Sequence, residues 1–591
     1  MQPTRAPGRG VSWGRRARFL AASLAGGLSA VALTPALGAF ADPGTSGPSQ
    51  SVIVEAPDGV DVASLLALLP PGQARKALGI INGAAVSLNQ HWISVLQGAG
   101  AIVTPDQAVT VQGAAYSNNL GCPGPTSPST PSGNFVADTG ADKLANRANQ
   151  GQGVTVAVLD TGINSSLADL SNVVGGVDLT GGNSPFTDEY GHGTFVAGLV
   201  AGSGASSGGQ YTGEAPGADL VSIKAAGASG VTTASTIISG ISWAVQNQST
   251  YNIGVLNLSF GALPTGPTNT EPMDRAVEAA WKAGIVVVVS AGNAGPFNGT
   301  IMSPGDDPLA ITVGAYADNN SPKPANWAMC SFSSVGPTQY DGWFKPDLVA
   351  PGRSVVSVAD PGSTIYTANP QALVGNANFV GSGTSFSAAI TSGAAALVLS
   401  AHPDANPNGV KGRLVGNAVP GPAQDPFVDG HGVLNAFYAA QGPALRYDQT
   451  AARQAESNHP GSVIDLGSSW NGSSWNAANW TGSSWNGSSW NGSSWNGSSW
   501  NGSSWNGSSW NGSSWNGSSW NGSSWNGSSW NGSSWNSMVW DGSSWNGSSW
   551  NGSSWNGSSW NGSSWNGSSW NGSSWNGSSW NGSSWNGSSW N

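Results

Sequence analysis

The chain has 591 residues, a formal net charge of −11 and only 8% charged residues. That length allows three or four domains, and the acidic balance makes nucleic acid and anionic membranes poor partners, so the charge reads as a solubility device. The 86 glycines and 35 prolines would suit disorder, but the low-complexity sequence is confined to one tail, and the middle reads as ordinary globular sequence.

At the N-terminus, Arg5, Arg9, Arg15, Arg16 and Arg18 precede an apolar run from Phe19 to Phe40. Ala39-Phe40-Ala41 then sets alanine at both flanking cleavage positions, ahead of Asp42. This order predicts a secretory signal over residues 1–41, hence a secreted or cell-surface protein. Arg15-Arg16 hints at twin-arginine export, with a loose match in Ala17 to Leu20. No later stretch reads as long and apolar enough to span a membrane. Export permits a disulfide between the chain's two cysteines, Cys122 and Cys330, with unpaired thiols as the alternative; two isolated cysteines give no metal-ligand spacing.

Residues 50–112 read as a small separate domain. Strand-like patterns cover Ser51 to Ala56, Ile80 to Leu88 and Ala101 to Thr104, and helical patterns cover Val62 to Leu69 and Gln90 to Gln97. A β-α-β-β-α-β order predicts a ferredoxin-like α+β sandwich.

Residues 113–442 read as the next domain; over 135–440 buried-strand runs alternate with helical patterns, which predicts an α/β domain on a parallel sheet. Val154 to Leu159 is such a run and delivers Asp160-Thr161-Gly162 at its carboxyl end, where parallel sheets place their sites. Alone, an Asp there also fits a cap or a turn. His192 sits between Gly191 and Gly193 at the start of a helical run, in a chain with five histidines. Gly381-Ser-Gly-Thr-Ser385 opens another helix; such a serine is commonly a cap, but the position also exposes its hydroxyl and aims backbone N–H groups at an oxyanion. Gly284 to Ser290 is a further buried strand, leading to Asn293, a turn residue or an oxyanion donor.

Together these blocks resemble the subtilisin-like serine proteases. Val156 to Ile163, His192 to Gly198 and Gly383-Thr384-Ser385 match the three signature blocks in the family order Asp, His, Ser. The resemblance implies a triad of Asp160, His192 and Ser385, with Asn293 in the oxyanion hole and no cofactor needed for catalysis. Leu256 to Gly261 looks like the family's substrate-binding strand, which implies extended protein or peptide substrates against Ser259, Phe260 and Gly261 on one side and Gly227 and Gly230 on the other. Ile81 to Leu88 resembles part of the inhibitory propeptide, which implies a zymogen cut somewhere after Thr110. Structural calcium is implied by the family alone, since no dense carboxylate loop locates it. The serine block departs from the family pattern: Phe386, Ser387, Ala388 and Ala389 come after Ser385 where Met, a small residue, Ser or Thr, and Pro are usual. A different reading, a catalytically silent adhesion or scaffold protein, is opposed by the presence of all four catalytic groups.

After a linker at 443–466, residues 467–591 carry a Trp every five positions from Trp470 to Trp590, on the unit Asn-Gly-Ser-Ser-Trp. Period five fits neither helix nor strand alternation. A square β-solenoid with one unit per side, stacking Trp over Trp, competes with a disordered tail. Exposed Trp would suit attachment to cell-wall glycan, with a spacer or self-association as the rival role.

Overall fold

The computed structural model describes residues 48–57, 59–70, 75–111, 135–182 and 184–443, and the backbone of 463–465, 469–481 and 484–590. The expected signal segment, most of the linker and Cys122 lie outside the described residues.

The first part is an antiparallel sheet with two helices. Strands β1 (Gln50–Glu55), β2 (Arg75–Leu78), β3 (Gly83–Leu88) and β4 (Ile102–Pro105) lie in the order β2-β3-β1-β4, with helices α1 (Val62–Leu66) and α2 (Gln90–Gly98). Asp61 and Asn89 cap the helices by accepting the N–H groups of Ala63 and Trp92. The expected strand over Ile80 to Leu88 is instead a tight turn at Gly79–Ile81 followed by a strand from Gly83, and a short, polar strand that lacks alternation, β2, precedes the turn. Side chains alternate across the sheet. Val52, Val54, Ala84 and Val86 form a core with α1 and α2, while Ile53 and Ala85 face the other way and join the core of the main domain.

The main domain is built on an eight-stranded sheet. Its strands are β6 (Thr155–Asp160), β7 (Val173–Asp178), β8 (Asp219–Lys224), β10 (Ile253–Leu258), β12 (Val286–Ser290), β13 (Ile311–Ala317), β14 (Ala328–Met329) and β15 (Leu348–Pro351). They run in the order β14-β13-β12-β10-β6-β8-β7, with β15 also on β13, and all pairs are parallel except β13 with β14. Runs such as Val286 to Val289 are fully buried because helices cover the sheet. Between the strands lie α3 (His192–Ala201), α4 (Ala234–Gln246) and α5 (Pro272–Lys282), and α6 (Thr384–Ala401) comes after them. Small side chains let α6 pass through the centre: Glu214 lies 2.6 Å from where a Cβ on Gly393 would stand. By length and composition α6 is also apolar enough to cross a membrane, contrary to the expectation from sequence, but 83% of it is buried inside the protein, as in a core helix.

Cys330 is buried and disulfide-bonded. In the tail, the strand Ser469–Thr481 pairs in parallel with Ser484–Trp590, placing Trp470 opposite Trp490, Trp475 opposite Trp495 and Trp480 opposite Trp500. Paired positions are thus four five-residue units apart.

Candidate active site

The carboxyl ends of β6, β10 and β12 and the starts of two helices bring the candidate residues together. Asp160 closes β6 at the centre of the sheet, and His192 opens α3. Nδ1 of His192 lies 2.8 Å from Oδ1 of Asp160, and both side chains are wholly buried. This contact fixes Nδ1 as the protonated nitrogen and leaves Nε2 as the base. The approach requires bare backbone: a Cβ on Gly193 would lie 2.1 Å from the Gly162 carbonyl. Gly162 itself has φ of 113°, a conformation that favours glycine.

Ser385 is in the first turn of α6, where backbone N–H groups have no intrahelical acceptor. Its hydroxyl donates to the Ser259 carbonyl at 3.3 Å, and His192 Nε2 has no hydrogen-bond partner among the described residues. The serine must therefore turn from Ser259 to His192 to be activated, a tightening common in resting enzymes. Asn293 lies beyond the end of β12. Its Oδ1 accepts the N–H of Thr384 at 3.0 Å and the Thr384 hydroxyl at 2.9 Å. The N–H donor identifies that atom as oxygen, so the amide NH₂ is the group Asn293 offers to a substrate.

A groove runs beside these groups. The strand β5 (Ala108–Val111) lies in it, antiparallel between β9 (Val231–Thr233) and β11 (Phe260–Gly261). Thr110 stands opposite Gly261, Val111 stands opposite Phe260, and the Val111 N–H donates to the Gly230 carbonyl at 3.2 Å. Gly227 is not in this ladder; its carbonyl accepts the Gly230 N–H and closes the turn before β9.

The model of the Subtilase family matches residues 151–456. The chain is 42% identical over 301 residues to serine protease AprX of Bacillus subtilis, covering 49% of this chain and 67% of that one. It is 37% identical to subtilisin DY of Bacillus licheniformis, over 51% of this chain and 96% of that one. The fold is similar to that of fervidolysin from Fervidobacterium pennivorans, a keratinolytic enzyme related to subtilisin, with a TM-score of 0.52 and 22% identity over 68% of this chain and 62% of that one. The chain belongs to the subtilase family.

As in subtilases generally, the chemistry needs no cofactor. Among the described residues, no group of three or more His, Cys, Asp or Glu side chains is arranged to hold a metal ion, so the structure gives the family's calcium no side-chain donor set.

Two residues that support this subtilase site were not singled out from sequence. Asp188, fully buried, accepts the Thr161 hydroxyl (2.7 Å) and the N–H groups of Gly191 (2.7 Å) and Thr194 (2.8 Å). Thr161 in turn accepts the Gly193 N–H at 2.9 Å. Asp188 thus ties the aspartate loop to the histidine helix. Burial raises its pKa above the usual range despite these hydrogen bonds. The second is Phe386, whose departure from the family pattern was visible but not its role. Its ring is fully buried, 5.6 Å from the His192 ring and 4.5 Å from that of Phe195. The helix also runs unbroken through Ala389.

Proposed function

We propose that the chain is a secreted serine endopeptidase made as a zymogen, acting through Asp160, His192 and Ser385. The observation that carries this reading is β5: an extended peptide strand already lies between β9 and β11 on backbone hydrogen bonds, paired with the segment that follows Ser259. Main-chain pairing of this kind accepts many sequences, with side-chain pockets adding preference.

The chemistry is set by the groups. Ser385 Oγ attacks the scissile carbonyl while His192 Nε2 takes its proton, and the same proton passes to the leaving amine. Asp160 holds the imidazole orientation and stabilises its cationic form. The Asn293 amide and the Ser385 N–H receive the negative oxygen of the tetrahedral intermediate. Water then releases the acyl group from Ser385 by the reverse path.

In this reading residues 50–112 are the propeptide, with β5 inhibiting until the chain is cut beyond Thr110 and the fragment leaves. The signal at 1–41 exports the protein, and Cys122 pairs with Cys330. The tail attaches to cell-wall glycan, which a pull-down of the whole protein on peptidoglycan tests; equal retention of a chain lacking 467–591 would sink it. For the enzyme, the test is casein hydrolysis by the exported protein, with and without a serine-directed fluorophosphonate, beside Ser385→Ala. Activity and processing should both vanish in Ser385→Ala. Equal, inhibitor-insensitive activity in both proteins would refute the assignment.

A further inference from the structure

The docked face of the N-terminal sheet carries one acid. Glu55 stands two residues after Ile53 on β1, so both side chains leave the sheet on the side that packs against the main domain. Glu55 is wholly buried there. Its Oε2 lies 3.2 Å from Nε of Arg275 on α5, and its Oε1 has no hydrogen-bond partner among the described residues. The groups facing it are few. Arg275 attracts it, and Glu271 at the start of α5 repels it. Its neighbours across the sheet, Gly83 on β3 and Ile102 on β4, are uncharged. Other polar contacts of this docking include Lys76 Nζ to the Thr236 hydroxyl (3.1 Å), Asp106 with the N–H and hydroxyl of Ser235 (both 2.8 Å), and Gln107, which donates from Nε2 to the Leu263 carbonyl (3.3 Å) and accepts the Ala234 N–H (3.0 Å).

Resting on the zymogen reading above, we propose that Glu55 is a pH-sensitive latch that holds the cut propeptide on α5 when protonated and loosens it when ionised. A buried carboxylate with one partly exposed cation and a neighbouring acid loses more in desolvation than the pair returns. Consistently, burial pushes the Glu55 carboxyl up to about 7. Undocking returns it to water and to its ordinary value of 4.5. The docked pKa is the higher one, so docking takes up a proton. The extra stability is complete below the undocked value and is lost as pH rises through the docked one. Burial also moves Lys76 downward from its ordinary 10.5, while Asp106 pulls it back up. If docking supplies the whole shift, the complex is about 30-fold tighter at pH 5.5 than at pH 8.

The test uses the full chain after self-cleavage. Release of the N-terminal fragment is monitored by size exclusion through a dilution series at the two pH values. Protease activity is read after each incubation at one common pH, which removes the pH dependence of catalysis itself. Wild type should release the fragment about 30-fold more readily at pH 8. Glu55→Gln should hold it equally at both, within about two-fold. Arg275→Met, which removes the counter-charge, should move the release midpoint to higher pH. Fragments that part with the same pH dependence in wild type and Glu55→Gln overturn the latch alone. A chain that is never cut between the two parts overturns the zymogen reading and the latch together.

Discussion

Phe386→Ala separates a packing role from a positioning one. The ring is fully buried between His192 and Phe195, with Gly381 pressed so close that a Cβ there would lie 2.7 Å from it. Truncation leaves a cavity beneath the catalytic imidazole. For a fully buried Phe this costs about 3–5 kcal/mol. In a domain of this size that lowers the melting temperature by roughly 10 °C. Differential scanning calorimetry in a Ser385→Ala background reads this without autolysis. In the active protein, an imidazole free to tilt loses alignment, and kcat for a peptide substrate should fall about 10- to 100-fold, with KM nearly constant because the groove is untouched. Phe386→Met refills much of the volume with a flexible side chain, so it should keep stability within about 1.5 kcal/mol and recover most of kcat. Wild-type kcat and melting temperature in Phe386→Ala would refute both the packing and the positioning argument.

Asn293→Ala should lower kcat by about 10²–10³, the scale known for the equivalent loss in the relative subtilisin, with little change in KM. Its stability should also fall modestly, since the Thr384 N–H loses its acceptor; stopped-flow acylation separates the two effects. Asp188→Asn keeps the shape but removes the charge that three donors converge on. It should lower kcat and slow self-processing, and an unchanged kcat with an unchanged pH profile would refute the coupling. Asp347 is buried between Lys345 (2.7 Å) and Lys411 (2.9 Å), both of which also bind the Ala310 carbonyl. Burial already pushes Lys411 down to about 7, with Asp347 holding it up, so Asp347→Asn should make Lys411 shed its proton as pH rises; the loss by chemical denaturation in the Ser385→Ala background should reach about 3–5 kcal/mol at acidic pH and shrink toward alkaline pH.

Asp160, His192 and Ser385 were legible as candidates because each stands at the junction of a strongly patterned element and a glycine. Apolar runs such as Val154 to Leu159 announce buried parallel strands, and such sheets do their chemistry just beyond the carboxyl ends of those strands. The groove was legible in part. Phe260, Gly261 and Gly230 stand along β5, whereas Gly227 closes a turn and Ser259 precedes the ladder, a distinction that depends on ladder register and not on residue type. Asp188 was hidden because an acid in Asp188-Glu189 looks like any solvated loop acid. Only the fold shows that Thr161, Gly191 and Thr194 aim at it. The β2 strand was missed since Arg75-Lys76 has no apolar alternation, its pairing with β3 being imposed by the sheet.

The same limit explains why the binding of one part of the chain to another is harder to read than the catalytic centre. Catalysis needs particular atoms, so it restricts residue types and leaves blocks such as His192-Gly193-Thr194. Docking needs only complementary faces, and many residues supply them. Ile53 and Ala85 are unremarkable in sequence, as are Val52 and Val54 on the opposite face. Glu55 is the exception on the docked face, because a buried acid costs free energy that a leucine would not. A docking surface meant only to hold would be apolar throughout. One that must hold while the chain folds and let go after it is cut gains from a group whose cost depends on pH.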